Sequence, residues 1–245
     1  MSFPFIEHVV WLHSTGVAWA ARARGRNAKV WGAQQAGAPL GACAELLAQA
    51  PRGRVRLLDR AKVLLGFPHV HYLMLPWQTG LYSAGDWQGF AEATFNQQAG
   101  IDPERWQVQV AAGAFGDERL AVAAPRDLLH DLRELFKLQR LPLVTCAPLL
   151  TAVAQQYWRQ LPADCVLAVP EAESLSCLYR HQGRADQVCV ISTQPGSTLS
   201  DNLFTADLLA QRQAPATRVV ANSPTEHSLG PLHPWLGAPL PCLPG

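Results

Sequence analysis

Two pairs of side chains have types and spacings that could support chemistry. His69 and His71 are separated by one residue, and alternate residues of a β-strand point to the same face, as two metal ligands would. His13 precedes Ser14, a base beside a hydroxyl nucleophile. Zinc sites need three or four ligands, and a serine hydrolase of the common α/β type needs a GxSxG turn, which this sequence lacks. We therefore interpret the first pair as partly exposed strand residues and the second pair as turn residues.

Three arginines form the candidate binding patch of the sequence. Arg22, Arg24 and Arg26 are spaced by two at the end of a predicted strand, so their guanidinium groups share one face. Such a face could contact phosphates, lipid headgroups or a protein partner. The simpler interpretation is a solvated strand end whose charges discourage aggregation between sheet edges. Both interpretations remain open at this point.

The composition is that of a globular protein. Hydrophobic residues make up 49% of the 245 residues and charged residues 16%, which excludes a disordered chain. The net charge is +1, but residues 1–62 carry nine Lys or Arg and three acids, a net charge of +6. Such an asymmetry favours anionic partners or an anionic membrane surface, while no aromatic and basic motif of a nucleic-acid module is present.

No segment of the sequence resembles a membrane helix or a secretory leader. The longest strongly apolar run, 141–158, is interrupted by Pro142, Pro148, Gln155 and Gln156. The N-terminus lacks a basic region before its first apolar run. The six cysteines form no CxxC pair, so we expect reduced, buried thiols and a cytoplasmic protein.

Hydrophobic patterns predict an αββα block between two similar halves, which is a mixed α/β (α+β) fold. In the first half they predict strands at 8–13, 16–23, 29–35, 54–58, 62–65 and 69–75, and a helix at 40–50. The block spans 77–140, where a capping box from Ser83 to Asp86 opens a helix that buries Trp87. The second half is predicted to contain strands at 141–146, 164–169, 175–179, 187–192 and 218–221, and helices at 149–161 and 200–212. In each half, three strands, a helix and a strand follow one another.

This order of elements resembles the actin-like proteins. The strings HYLMLPW at 71–77, DWQGF at 86–90, WQVQV at 106–110 and LAVAAP at 120–125 are similar to those of the PilM and GspL group, the cytoplasmic actin-like proteins of bacterial type IV pilus and type II secretion machines. The resemblance covers residues 8–222. It implies an actin-like (ribonuclease H-like) two-lobed fold, with a first lobe at 1–76, an inserted αββα subdomain at 77–140, a second, reduced lobe at 141–222 and a Pro-rich tail at 223–245.

The resemblance also locates two turns that would bind nucleotide phosphates. In that superfamily two glycine-rich hairpin turns, each with an aspartate, surround the phosphates, because backbone N–H groups at glycine approach phosphate closely. Here the first turn, 11–16, has His13 where the aspartate is expected, and the second turn, 168–174, has no glycine. The second turn contains Pro170, which has no N–H, and the carboxylates of Glu171 and Glu173. We therefore expect no ATP hydrolysis, no cofactor and no metal.

The expected function is a non-enzymatic scaffold of a type IV pilus or related secretion machine, at the inner face of the cytoplasmic membrane. The resemblance implies partners in the inner-membrane platform, such as the short cytoplasmic tail of a bitopic membrane protein or the motor ATPase, and possible homodimers. The alternative is a divergent actin-like ATPase or small-molecule kinase. A truncated paralogue that regulates by dimerisation is a third hypothesis.

Overall fold

The computed structural model describes residues 5–23, 29–211 and 217–221. These residues form two compact units. The first unit contains the described residues up to 69 together with 127–153, and the second contains 70–126 and the described residues from 154. No helix within the described ranges is long and apolar enough to cross a membrane.

The first unit is built on a five-stranded sheet with strand order β3-β2-β1-β4-β8. Its strands are β1 Ile6–His13, β2 Gly16–Ala23, β3 Val30–Ala36, β4 Arg60–Leu65 and β8 Leu143–Pro148. The first three strands form an antiparallel meander, and β4 and β8 add to β1 in parallel. Helix α1 Pro39–Gln49 packs on the meander, and helix α3 Arg126–Leu138 precedes β8.

Burial explains why β1 and α1 form where they do. Side chains of β1 alternate between fully buried and half-buried, which is the pattern of a central strand with one face on the core. Helix α1 buries Ala42, Cys43, Leu46 and Leu47, whose spacing of three and four places them on one helical face. The core of this unit therefore lies between the sheet and an amphipathic helix.

The second unit contains a four-stranded sheet with strand order β11-β10-β9-β12. Its strands are β9 Cys165–Pro170, β10 Ser174–His181, β11 Arg184–Ser192 and β12 Arg218–Val220. Strands β9 to β11 form an antiparallel meander, and β12 pairs in parallel with β9. Helix α5 Leu199–Leu209 packs on β10 and β11, and Leu203 and Ala206 join the buried cluster of the sheet. Helix α4 Leu149–Tyr157 precedes this sheet along the chain.

A three-stranded antiparallel sheet completes the second unit. Its strand order is β5-β7-β6, with β5 His71–Leu75, β6 Trp106–Val110 and β7 Arg119–Pro125. Helix α2 Ala84–Ala99 covers it and buries Trp87 and Phe95 against Leu75 and Val108. Within this unit, Arg184 of β11 donates to the Asp117 carboxylate beside β7.

The two meanders have the same connectivity. Each consists of three antiparallel strands, a helix, and a fourth strand that pairs in parallel with the first, so the orders 3-2-1-4 and 11-10-9-12 correspond. The duplicated order of elements predicted from the sequence is thus confirmed. The αββα order within 77–140 is also present, as α2, β6, β7 and α3.

Three sequence-based assignments differ from the structure. The strand predicted over 54–58 is wrong, because these residues form a short 3₁₀ helix, Arg56–Leu58, instead. The strand predicted over 69–75 begins only at His71 and pairs with β7. Strand β8, expected within the range of the second lobe, pairs with β4 in the first sheet. The Pro-rich tail predicted over 223–245 lies outside the described residues.

Candidate functional site

The first predicted phosphate turn is the tight hairpin between β1 and β2. His13 pairs with Gly16, and the Thr15 hydroxyl lies 3.0 Å from Nδ1 of His13. Burial lowers the pKa of His13, with a further contribution from nearby His69. The turn therefore presents an imidazole and a hydroxyl at the position where a metal-binding carboxylate would be needed.

The single glycine of this turn has a packing role. A Cβ atom added to Gly16 would lie 2.2 Å from the carbonyl oxygen of Gln35 and 2.8 Å from Cα of Ala36, both in the backbone of β3. No side chain fits at that distance, so close pairing of β2 and β3 requires glycine here. The presence of glycine in this turn is explained without a phosphate.

The second predicted phosphate turn connects β9 to β10. The Glu171 N–H donates to the carbonyl oxygen of Ser174 at 2.8 Å, which closes the turn on itself. Pro170 has no N–H to donate. The carbonyl oxygen of Glu173 accepts a hydrogen bond from the Thr193 N–H at 2.9 Å. Positions 170 and 171 therefore have no backbone N–H available for a phosphate. The exposed Glu173 carboxylate would repel a phosphate.

The two histidines considered as metal ligands have different surroundings. His69 precedes β5, and its backbone N–H donates to the Gly66 carbonyl at 2.9 Å. His71 begins β5 and packs its ring edge-on against Trp106, with centroids 5.1 Å apart. Burial lowers the pKa of both imidazoles. Within the described ranges, no group of three or more His, Cys, Asp or Glu side chains could hold a metal ion.

The candidate basic patch is described only in part. Arg22 is exposed near the end of β2, where it pairs with Glu7 of β1 and Val30 of β3. Arg24 and Arg26 lie outside the described residues. The patch predicted from all three arginines stays a prediction.

Burial makes two of the cysteines poor nucleophiles. It raises the pKa of Cys43 to about 12 and that of Cys146 to about 11. A thiol with such a pKa is protonated at neutral pH, and the thiolate is the reactive form. Covalent catalysis by either thiol is disfavoured.

Two buried acidic residues, Asp59 and Asp207, could not be recognised from the sequence. Asp59 accepts hydrogen bonds from the backbone N–H groups of Ile6, at 2.8 Å, and Gly53, at 3.0 Å. Asp207 of α5 accepts from the Tyr179 hydroxyl at 2.9 Å and from Arg218 at 2.6 Å. Each acid joins segments that are distant in the chain, and no local sequence pattern predicts such a contact. We assign both to structural roles because their oxygen atoms are occupied by these donors.

Solved structures of actin-like proteins are similar to this chain. The cytoplasmic domain of EpsL, an inner-membrane component of the type II secretion system of Vibrio cholerae, matches over 98% of this chain and 84% of its own, with a TM-score of 0.57 and 14% identity. A chain of the PilM–PilN type IV pilus biogenesis complex matches over 94% of this chain and 88% of its own, with a TM-score of 0.61 and 11% identity.

A protein of Bacteroides thetaiotaomicron, with an actin-like ATPase fold and unknown function, matches over 91% of this chain and 84% of its own, with a TM-score of 0.59 and 8% identity. No protein-family model and no curated protein matches the sequence. The chain therefore has the actin-like fold, as predicted, and its structural resemblance to PilM and GspL-type proteins is confirmed at the level of the fold.

Proposed function

We propose that this protein is a non-enzymatic scaffold of a type IV pilus or related secretion machine, acting at the inner face of the cytoplasmic membrane. The observation that carries the proposal is the similarity of fold to the EpsL cytoplasmic domain along 98% of the chain. A chain of the PilM–PilN complex is similar along 94% of this chain. One of these proteins belongs to a type II secretion system and the other to a pilus biogenesis complex, so the shared fold supports a related role here.

The geometry of the two turns supports the absence of nucleotide chemistry. In the first turn His13 replaces the expected carboxylate, and Gly16 is accounted for by its contact with β3. In the second turn Pro170 lacks a donor and Glu171 uses its N–H within the turn. A phosphate at either position would meet few of the backbone donors that actin-like enzymes use.

The proposed partners are proteins of the inner-membrane platform. One of the similar structures is the PilM–PilN complex, and EpsL is an inner-membrane component of its system. By this analogy the chain captures the short cytoplasmic tail of a bitopic membrane protein or a domain of the motor ATPase. It needs no cofactor for that role, and a homodimer is compatible with it.

The experiment is deletion of the gene in its source organism, scored for surface pili and for type II secreted proteins. We expect one of these two phenotypes to be lost and to return with the parent gene. A Glu173→Ala allele should complement equally well, because this exposed side chain would matter only near a phosphate. Normal piliation and normal secretion in the deletion strain would contradict the proposal.

A further inference from the structure

A strongly basic segment follows helix α1. Residues 52–62 contain five Lys or Arg and one acid, more than half of the nine basic residues found in 1–62. Its arginines alternate with glycine and valine at the start, and two leucines follow. We call residues 53–58 the basic loop.

The one acid of this segment is turned inward. Asp59 is buried, and its two carboxylate oxygens accept the N–H groups of Ile6 and Gly53. Arg52 is half-buried and donates to the carbonyl oxygens of Leu47 and Gln139, so it anchors the segment. The segment 52–62 therefore has its one carboxyl group in the core, while Arg54 and Arg56 of the basic loop are exposed to solvent.

Apolar side chains are exposed beside these arginines. Leu57 is 88% exposed, and Leu58 and Val55 are about half exposed, at 48% and 45%. Hydrogen bonds from the Leu58 N–H to the Val55 carbonyl, at 2.9 Å, and from the Asp59 N–H to the Arg56 carbonyl, at 3.2 Å, hold the turn. Leu57 is thus the tip of a hydrogen-bonded turn anchored at both ends.

Two further arginines lie on one face of the adjoining sheet. Glu7 of β1 pairs with Arg22 on one side and with Arg60 on the other. Paired residues of neighbouring strands share a face, so both arginines flank Glu7 and are about 10 Å apart. Both are exposed. Arg60 follows the buried Asp59 directly. The charges of Arg60, Glu7 and Arg22 therefore lie next to the basic loop along the chain and across the sheet.

We propose that the basic loop binds directly to an anionic lipid bilayer, with Leu57 entering the headgroup region and Arg54 and Arg56 contacting the lipid phosphates. An apolar tip surrounded by cations is the combination that interfacial membrane binding needs, because apolar burial and attraction to anionic lipids act together. A nucleic acid would use the cations but leave Leu57 in water. The inference deepens the proposed function and rests on it for the membrane location.

The test is co-sedimentation of the purified chain with vesicles of phosphatidylcholine alone or mixed with phosphatidylglycerol. The parent should bind only the mixed vesicles, and more strongly below about 100 mM salt, where the Debye length exceeds about 10 Å. Replacing Arg54 and Arg56 by Ser should weaken this binding about 30-fold, because each basic residue near an anionic surface contributes about 1 kcal/mol to binding. Leu57→Ser should weaken it about tenfold by removing apolar burial.

Matched controls separate the loop from general effects of charge and hydrophobicity. Leu138→Ser removes another leucine, 79% exposed at the end of α3, and Arg105→Ser with Arg159→Ser removes two other exposed charges. Both controls should bind vesicles like the parent. Equal binding by the parent and either loop variant, or parent binding that does not require phosphatidylglycerol, would overturn the inference. Either result would leave the pilus and secretion phenotypes of the deletion strain unaffected, so the two proposals fail separately.

Discussion

Three buried polar residues, Asp59, Asp207 and His8, each have a hydrogen-bond partner in the fold. Asp59 satisfies two backbone N–H groups, and Asp207 joins Tyr179 to Arg218. His8 is held in its neutral form, because the Trp19 indole N–H donates to its Nδ1 at 3.3 Å and burial lowers its pKa to about 4. These residues stabilise the fold. Because His8 is neutral in the folded protein, the free energy of unfolding depends on pH.

The free energy of unfolding should fall as the pH drops from about 6.5 to about 4. The unfolded chain takes up the His8 proton near the ordinary histidine pKa of about 6.5, while the folded chain takes it up only near 4, so acid favours unfolding. The loss assigned to His8 is about 2 kcal/mol at pH 5. Urea unfolding at about pH 7 and about pH 5 measures it.

His8→Asn should lose about 2 kcal/mol less than the parent between these two pH values, because Asn does not titrate. Comparing each variant with itself at the two pH values cancels any general loss of stability. His130→Asn, at an exposed position on α3, is the control and should behave like the parent. The same pH dependence in His8→Asn and the parent would assign the effect to other groups.

Gly16→Ala should destabilise the first unit by about 1–3 kcal/mol, because the new Cβ would meet the backbone of β3. Gly41→Ala, in helix α1 with open space around the position, should instead stabilise the chain by about 0.5–1 kcal/mol. Thermal unfolding of both variants measures the contrast. A Gly16→Ala protein as stable as the parent would remove the packing explanation for this glycine.

At the level of elements, helix α2 shows how local signals and packing agree. Ser83 and Asp86 form the predicted capping box, and Gly100 ends the helix in the left-handed conformation at φ 64°. Trp87 is 1% exposed, packs against Trp77 with ring centroids 5.7 Å apart, and lies under the Arg119 guanidinium at 4.3 Å. The buried stripe predicted for this helix is confirmed at Trp87.

Trp87→Ala should lower the free energy of unfolding by about 3–5 kcal/mol and reduce the yield of folded protein. The cause is the cavity left among the aromatic rings of the three-stranded sheet. Chemical denaturation provides the measurement, and Tyr82→Ala, whose side chain is 80% exposed, is the control expected within about 0.5 kcal/mol of the parent. A Trp87→Ala variant that unfolds like the parent but loses a partner would place Trp87 in an interface.

Most helices and strands could be predicted from the sequence because their hydrophobic periods and turn residues are local. The failure at 54–58 has a non-local cause. Alternating Arg and Val indicate a strand. The segment instead forms a turn that ends at Asp59, whose buried carboxylate accepts the N–H of Ile6, 53 residues away. The sheet assignments of β5 and β8 also depend on distant partners, β7 and β4.

The same limit applies to the candidate site. The two turns could be located because the resemblance to the actin-like proteins places them between strands that the sequence predicts. The inward orientation of Asp59 and the exposure of Leu57 could not, because they follow from tertiary contacts.

At the level of the whole molecule, an actin-like fold is present and both of its turns offer poor phosphate ligands. We therefore expect no binding of Mg-ATP tighter than about 1 mM, which is about 4 kcal/mol of binding free energy. A ligand at about 100 times its Kd stabilises a protein by about 2.7 kcal/mol, so thermal unfolding with Mg-ATP provides a sensitive measurement. An unchanged melting temperature at millimolar Mg-ATP is the expected result, and a rise of several degrees would favour the kinase or ATPase alternative.

The scaffold role is tested most directly by calorimetric titration with cytoplasmic tails. The ligands are the N-terminal cytoplasmic peptides of bitopic inner-membrane proteins encoded beside this gene, each titrated with and without Mg-ATP. We expect one peptide to bind with a Kd of about 1 μM, which is about 8 kcal/mol, and Mg-ATP to leave that affinity unchanged. Micromolar binding of Mg-ATP together with no binding of any tail peptide would contradict the proposed function.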